Sequence, residues 1–192
     1  MRRVVAVKDL SVKYKLKDGS YLHAVDNFNL TMFEGEVFCL MGQSGCGKST
    51  AISAISGLSR PNNGLVSCFG REVKVCVPPS FGMSAQRDTL WPHLTVAQHL
   101  KLFAAVKGVK KPELDRQRLL NDLGIDQYKN TLAKHLNAVN RRRLCIAIAF
   151  VGNPKFVILD EPTRGMDRFA KREIWDFLRR KRAGRVILVS TN

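Results

Sequence analysis

Nine consecutive residues, Gly42-Gln43-Ser44-Gly45-Cys46-Gly47-Lys48-Ser49-Thr50, limit what this chain can fold into more than anything else in it. They follow the β-rich run Val37-Phe38-Cys39-Leu40-Met41 and lead into Ser49-Thr50-Ala51-Ile52-Ser53-Ala54-Ile55, which reads as a helix with Gly57 placed to end it. Strand, glycine loop, helix is the phosphate-binding order, because glycines let backbone N–H groups close around phosphate oxygens without a Cβ in the way. Lys48 is then placed to reach the β- and γ-phosphates and Ser49 to give a hydroxyl to Mg2+. The helix N-terminus adds a partial positive charge beneath the anion.

A loop of this kind needs a sheet behind it. Apolar residues at period two or in short runs (Val4-Val5-Ala6-Val7, Val12/Tyr14, Phe28/Leu30/Met32) read as strands, separated by turns at Lys17-Asp18-Gly19-Ser20 and Glu34-Gly35-Glu36. Arg60-Pro61-Asn62-Asn63-Gly64 is a turn, and Cys76-Val77-Pro78-Pro79 a strand that breaks into a loop. From about Leu94 to Leu136 the pattern turns helical. Thr95 and Gln98 form a capping box ahead of Val96, Leu100 and Phe103, and Gly108 closes that helix. Pro112-Glu113 opens another, with Leu119, Leu120 and Leu123 apolar and Gly124 at its end. Helices at about Arg141 to Val151 and Phe169 to Lys181 precede the buried-type strands Phe156-Val157-Ile158-Leu159 and Val186-Ile187-Leu188-Val189, which implies a sheet covered on both faces.

The first of those strands ends in Asp160-Glu161. Carboxylates at the carboxyl edge of such a sheet lie where a nucleotide would sit. Asp160 is suited to hold Mg2+ through water, and Glu161 to orient or deprotonate the water that attacks the γ-phosphate. An Asp-Glu pair alone is also an ordinary helix start; next to a glycine loop it becomes the second half of one site.

These residues together resemble the nucleotide-binding domain of ABC transporters, most closely the eukaryotic subfamily A, from about Val7 to the last residue. Gln86 in Ser84-Ala85-Gln86 is similar to that family's Q-loop glutamine, which the resemblance makes a Mg2+ ligand and catalytic-site residue; Leu90-Trp91-Pro92-His93-Leu94-Thr95 follows as in the family. Asp160-Glu161-Pro162-Thr163 and Gly165-Met166-Asp167 resemble its Walker B and D-loop run. Tyr14 is similar in position to the aromatic residue that stacks on adenine, a place where a strand tyrosine also serves as plain packing. The resemblance implies an α/β fold with a P-loop NTPase core sheet, an N-terminal antiparallel β part and an inserted helical subdomain at about 87–140. It makes 1–192 one nucleotide-binding domain, shortened at its C-terminus relative to the family.

Two places depart from the family. Where its signature reads Leu-Ser-Gly-Gly-x-Gln, this chain has Leu136-Asn137-Ala138-Val139-Asn140-Arg141. Asn137 can cap a helix as Ser would, whereas Ala138 and Val139 place Cβ atoms where the family brings bare backbone to the γ-phosphate held by a partner domain. Asn192 stands where the family has a catalytic histidine, and Asn can hydrogen-bond phosphate but cannot carry a proton or its charge.

The resemblance implies a motor domain that binds Mg-ATP, pairs head-to-tail with a second nucleotide-binding domain and drives transmembrane domains from the cytosolic face of a membrane, with lipid as the cargo of the subfamily. Hydrolysis then depends on a partner that completes the altered signature. A non-catalytic regulatory nucleotide-binding module stands beside that reading, as does a soluble ATPase acting on ribosomes or nucleic acid, which the formal charge of +16 would suit. No apolar run approaches the roughly 18 residues that span a bilayer. Cys39, Cys46, Cys68, Cys76 and Cys145 show no C-x-x-C spacing and read as reduced cytosolic thiols. The basic residues are scattered, with Lys171-Arg172 and Arg179-Arg180-Lys181-Arg182 accompanied by no base-reading motif, so no sequence-specific nucleic acid is expected as a partner. Gel-shift titrations should show weak, salt-sensitive binding that does not discriminate among DNA or RNA sequences. Strong sequence discrimination at physiological salt is the contrary result.

Overall fold

The computed structural model describes residues 2–73 and 81–191; the strand-to-loop expectation at Cys76-Val77-Pro78-Pro79 lies outside them, as does Asn192. A parallel sheet forms the centre, in the order β3 (Val37–Met41), β8 (Val186–Thr191), β7 (Phe156–Asp160), β6 (Phe81–Ser84). Every residue of β7 is buried. Because successive side chains on a strand point to opposite faces, β7 and β8 feed two separate cores. Phe156, Ile158, Val186 and Leu188 pack with Ile52 and Ile55 of α1 (Lys48–Ser56) and with Val5 and Met32. Val157, Leu159, Ile187 and Val189 pack on the other side with Ile146 of α4 (Ala138–Phe150) and Phe177 of α5 (Arg168–Lys181). The sheet is covered on both faces, as its continuous β-branched strands require.

The N-terminal part is a second, antiparallel sheet in the order β2 (Tyr21–Phe33), β1 (Arg3–Lys15), β4 (Asn63–Cys68), β5 (Arg71–Glu72). The short strands expected between Val4 and Met32 are two long ones, each 13 residues, bent where the register shifts. Asp9 (φ 50°) and Asn27 (φ 47°), residue types that tolerate the left-handed region, sit at those irregularities.

The helical part holds α2 (Val96–Val106) and α3 (Pro112–Asp122). Thr95 and Gln98 form the expected reciprocal cap: the Gln98 N–H donates to Thr95 Oγ1 at 3.2 Å and the Thr95 N–H to Gln98 Oε1 at 2.8 Å. Leu100, Leu119, Leu120 and Leu123 join the core of α4 and α5. α4 begins three residues ahead of the expected Arg141, because Asn137 Oδ1 accepts the Asn140 N–H at 2.8 Å and so satisfies the first turn early. The same helix runs close against β6; a Cβ on Gly82 would lie 1.8 Å from the Ala149 carbonyl oxygen.

His99 of α2 is fully buried. Its Nε2 accepts the Trp91 N–H at 3.0 Å, and its Nδ1 donates to the Thr95 carbonyl at 2.8 Å, an arrangement that only the neutral ring can make. Burial holds its pKa below the usual histidine value, against a smaller opposing effect of the Thr95 hydrogen bond. The unfolded chain therefore binds this proton more readily than the folded one. Its contribution is complete above about pH 6.5 and is lost as pH falls from there through the folded value. Thermal melts at pH 7 and pH 5 should show a drop that shrinks in His99→Gln; an equal drop in both proteins means that His99 is not the group responsible.

Candidate nucleotide-binding site

The loop from Gly42 to Thr50 joins β3 to α1 at the carboxyl edge of the parallel sheet. Its turn is set by Gly45 (φ 84°) and Gly47 (φ 95°), the latter standing as the N-cap of α1. A Cβ at Gly47 would sit 2.1 Å from the Ala24 carbonyl oxygen, so this position has both the backbone angle and the crowding that admit only glycine. Gln43, Ser44, Gly45 and Cys46 are exposed along the rim. Lys48 is buried, and its ammonium curls back over its own loop to the Gly42 and Gln43 carbonyls, the second at 2.9 Å.

Asp160 ends the buried strand β7 and points both carboxylate oxygens at hydroxyls. Ser49 Oγ donates to Oδ2 at 2.9 Å, and Ser190 Oγ donates to Oδ1. The glycine loop and the end of β7, 111 residues apart in the chain, thus meet through one contact. Glu161, the next residue, is 8% exposed and has φ 49°. Such a conformation costs a non-glycine residue on the order of 1–3 kcal/mol and persists only where its surroundings hold it. One holding contact is the Glu161 N–H, which donates to Ser190 Oγ at 2.9 Å.

Ser49 and Asp160 offer hard oxygen donors in contact with one another, which suits Mg2+, an ion that takes one or two protein ligands and completes its shell with water and phosphate. Among the described residues no group of three or more His, Cys, Asp and Glu side chains gathers as a metal site, so an all-protein cage for a transition metal is not formed there. When bound, the ion would neutralise charge on the phosphate oxygens, and Ser49 and Asp160 would be the residues to hold it.

Other expected site residues lie around this centre. Gln86 is exposed two residues beyond the end of β6, whose Ser84 pairs with Leu159 of β7. Tyr14 is half-exposed near the end of β1, opposite Leu22 on β2, two residues before the Ala24 carbonyl that abuts Gly47. Asn137 caps α4, Ala138 is exposed in its first turn, and Val139 is half-buried, packed against the core. Asp167 caps α5, accepting from the Ala170 N–H at 2.9 Å and the Phe169 N–H at 2.8 Å; those bonds, the Ala170 one foremost, hold its pKa below the usual carboxylate value. Two residues escaped the sequence reading. Ser190 lies near the end of β8 and Arg142 in the run Arg141-Arg142-Arg143, and neither carries a local sequence signal of what it contacts.

The glycine cradle, the buried lysine and the hydroxyl–carboxylate contact at the edge of a parallel sheet define a P-loop nucleotide-binding domain. A family model described as ABC transporter matches residues 25–164. The chain belongs to the ABC transporter family, and it is an ATP-binding cassette domain of that family. Over 174 residues it is 41% identical to human "Retinal-specific phospholipid-transporting ATPase ABCA4", covering 88% of this chain and 8% of that protein. Over 193 residues it is 34% identical to "ABC transporter A family member 6" of Dictyostelium discoideum, covering 98% of this chain and 12% of that one. The chain therefore spans about a tenth of the length of these relatives. Among solved structures, the dimeric structure of MJ0796, a bacterial ABC transporter cassette, superposes with a TM-score of 0.84 at 26% identity, over 98% of this chain and 88% of that one.

Lys48→Ala removes the buried ammonium and should abolish most nucleotide binding, by about a hundredfold in affinity if one charge-assisted contact is lost in a partly dry site. A fluorescence titration with a labelled ATP checks this. Unchanged affinity would show that the phosphates bind elsewhere.

Proposed function

We propose that this cassette binds Mg-ATP in the Gly42–Thr50 cradle and drives a transporter, with lipid as the cargo. The observation that carries the proposal is the Ser49–Asp160 contact with Glu161 beside it, because it gathers a phosphate cradle, a Mg2+ donor pair and a carboxylate for water activation in one place. In this reading Tyr14 supports the base, Gln86 approaches the metal and the attacking water, and Asp167 lies toward a second cassette bound head-to-tail. The 41% identity to a phospholipid-transporting ATPase supports the choice of cargo. No helix among the described residues is long and apolar enough to cross a membrane, so the spanning domains that this reading requires are separate from them, and the cassette works at their cytosolic face. Residues 1–192 act as one domain, with about 87–140 as its helical subdomain.

Ala138 and Val139 favour a qualified form of the proposal. In a head-to-tail pair each nucleotide would be held by the cradle of one domain and the signature of the other, so a homodimer of this chain carries the altered signature at both sites. Loss of one donor to a transferring phosphate costs about two to three powers of ten in rate. We infer that the chain alone binds ATP but turns it over weakly, that a partner with a glycine signature completes the site around Lys48 and Glu161, and that the two sites of such a pair are unequal. The complementary reading, a purely regulatory nucleotide-binding module, has the same signature in its favour and the intact Lys48, Asp160 and Glu161 against it.

The test restores the signature. Ala138→Gly is the clean single change, since residue 138 is exposed, whereas Val139→Gly also gives up packing against the core. Steady-state hydrolysis should rise at least about tenfold when Asn137→Ser, Ala138→Gly and Val139→Gly are combined with Asn192→His. If the unaltered chain already hydrolyses ATP as fast as the restored one, its departures from the family are neutral and the unequal-site idea fails.

A further inference from the structure

Arg142 lies in the second turn of α4, five residues beyond the Asn137 cap, and its side chain is 6% exposed. A guanidinium has five N–H donors, and here all five are used. Nη2 donates to the Asp160 carbonyl at 2.6 Å and the Glu161 carbonyl at 2.8 Å, and Nε to the Pro162 carbonyl at 3.3 Å. Nη1 donates to the Ala85 carbonyl at 2.7 Å and to Asp88 Oδ1 at 3.3 Å. One side chain thus grips three successive carbonyls around the strained Glu161 and, from its other edge, both flanks of Gln86. Asp88 also receives Arg141 at 3.7 Å and Cys145 Sγ at 3.6 Å, so its carboxylate is held by three side chains of α4.

A buried cation costs several kcal/mol to desolvate, and the one carboxylate facing Arg142 is itself partly exposed. A leucine or methionine there would fill the same space without that cost. What only a planar five-donor fork provides is a fixed distance between two segments that, among the described residues, are joined by no other side-chain hydrogen bond.

We propose that Arg142 is a positioning residue. It holds Glu161 in its left-handed conformation from the carbonyl side, as Ser190 does from the N–H side, and it makes the Gln86 segment and Glu161 move as one body with the first turns of α4. A change at residues 85–88 then reaches Glu161 through the Arg142 side chain, in addition to the pairing of Ser84 with Leu159 that joins the strands ahead of both segments. The proposal rests on the reading of Glu161 as the water-activating carboxylate for its consequence in turnover, but the mechanical link stands apart from that reading and is tested without nucleotide.

Hydrogen exchange followed by mass spectrometry reads that link directly. Asp88→Ala removes a partner at an exposed loop, leaves every contact of Glu161 itself in place, and does not open a hole in the core. It should speed amide exchange at residues 160–163 as well as at 85–90, by about tenfold, the loss expected from one charge-assisted hydrogen bond, while α1 and α5 exchange as before. Arg142→Lys keeps the charge but offers donors from a single point, so it should loosen both segments further than Asp88→Ala does, while α1 and α5 again exchange as before. Exchange at 160–163 that is unmoved by Asp88→Ala overturns the proposal, as does exchange that rises uniformly over the whole chain, which a merely stabilising residue would produce. Absence of ATP binding by the unsubstituted chain would instead defeat the functional reading and leave the two exchange results to decide the link.

Discussion

Asp160 has two carboxylate oxygens, and each fixes a different part of the molecule. One accepts from Ser49, at the start of α1, and so ties the glycine loop to the central strand; the other accepts from Ser190, at the end of β8. The carboxylate can do this because β7 is buried along its full length and cannot shift without disturbing two cores at once, Phe156 and Ile158 on one side, Val157 and Leu159 on the other. The glycine loop, Ser190 and Glu161 are therefore placed by the packing of one buried strand and the carboxylate at its end. Interiors packed at the density of organic crystals are stiff, and that stiffness is transmitted to the sheet edge where Asp160 and Glu161 stand.

Energetically, the site concentrates cost where the scaffold is most able to carry it. Glu161 sits at a positive φ, Lys48 and Arg142 are buried cations, and Asp160 is a buried carboxylate. Each is answered by directed hydrogen bonds from named neighbours rather than by solvent, as buried polar groups require. The helical part is attached by a different chemistry: Asp122 of α3 meets Lys181 of α5, Lys107 donates to the Val151 carbonyl at 3.0 Å, and Asp115 accepts the Gly152 N–H at 2.9 Å. These are polar contacts at the periphery of one shared apolar core.

Much of this could be read from the sequence because the signals were local. Strand, Gly42–Thr50 and helix follow one another without interruption, Thr95 and Gln98 are three residues apart, and Asp160-Glu161 ends an unbroken apolar run. What escaped was non-local. Arg142 looks like one of three consecutive arginines, and nothing in Arg141-Arg142-Arg143 says that the middle one turns inward to carbonyls 18 to 57 residues away while the first reaches Leu136 and the third Glu173. The lengths of β1 and β2 were hidden for a related reason: bulges at Asp9 and Asn27 interrupt the period of two, so two long strands look like several short ones. The early start of α4 was foreshadowed by Asn137 as a cap, but helix ends are set by whichever cap forms first, and pattern alone placed it a turn late.

Val139 has a further consequence for how such a chain changes over generations. With its side chain half-buried against the core at the first turn of α4, it has a packing role unrelated to phosphate. Glycine there would surrender that buried apolar surface and add roughly 0.4 kcal/mol of helix-propensity cost relative to valine. A glycine-to-valine exchange at this position therefore gains stability, and the reverse exchange loses it. The fold's own preference at residue 139 is for the apolar side chain, and only a selective advantage of bare backbone at that turn would outweigh it.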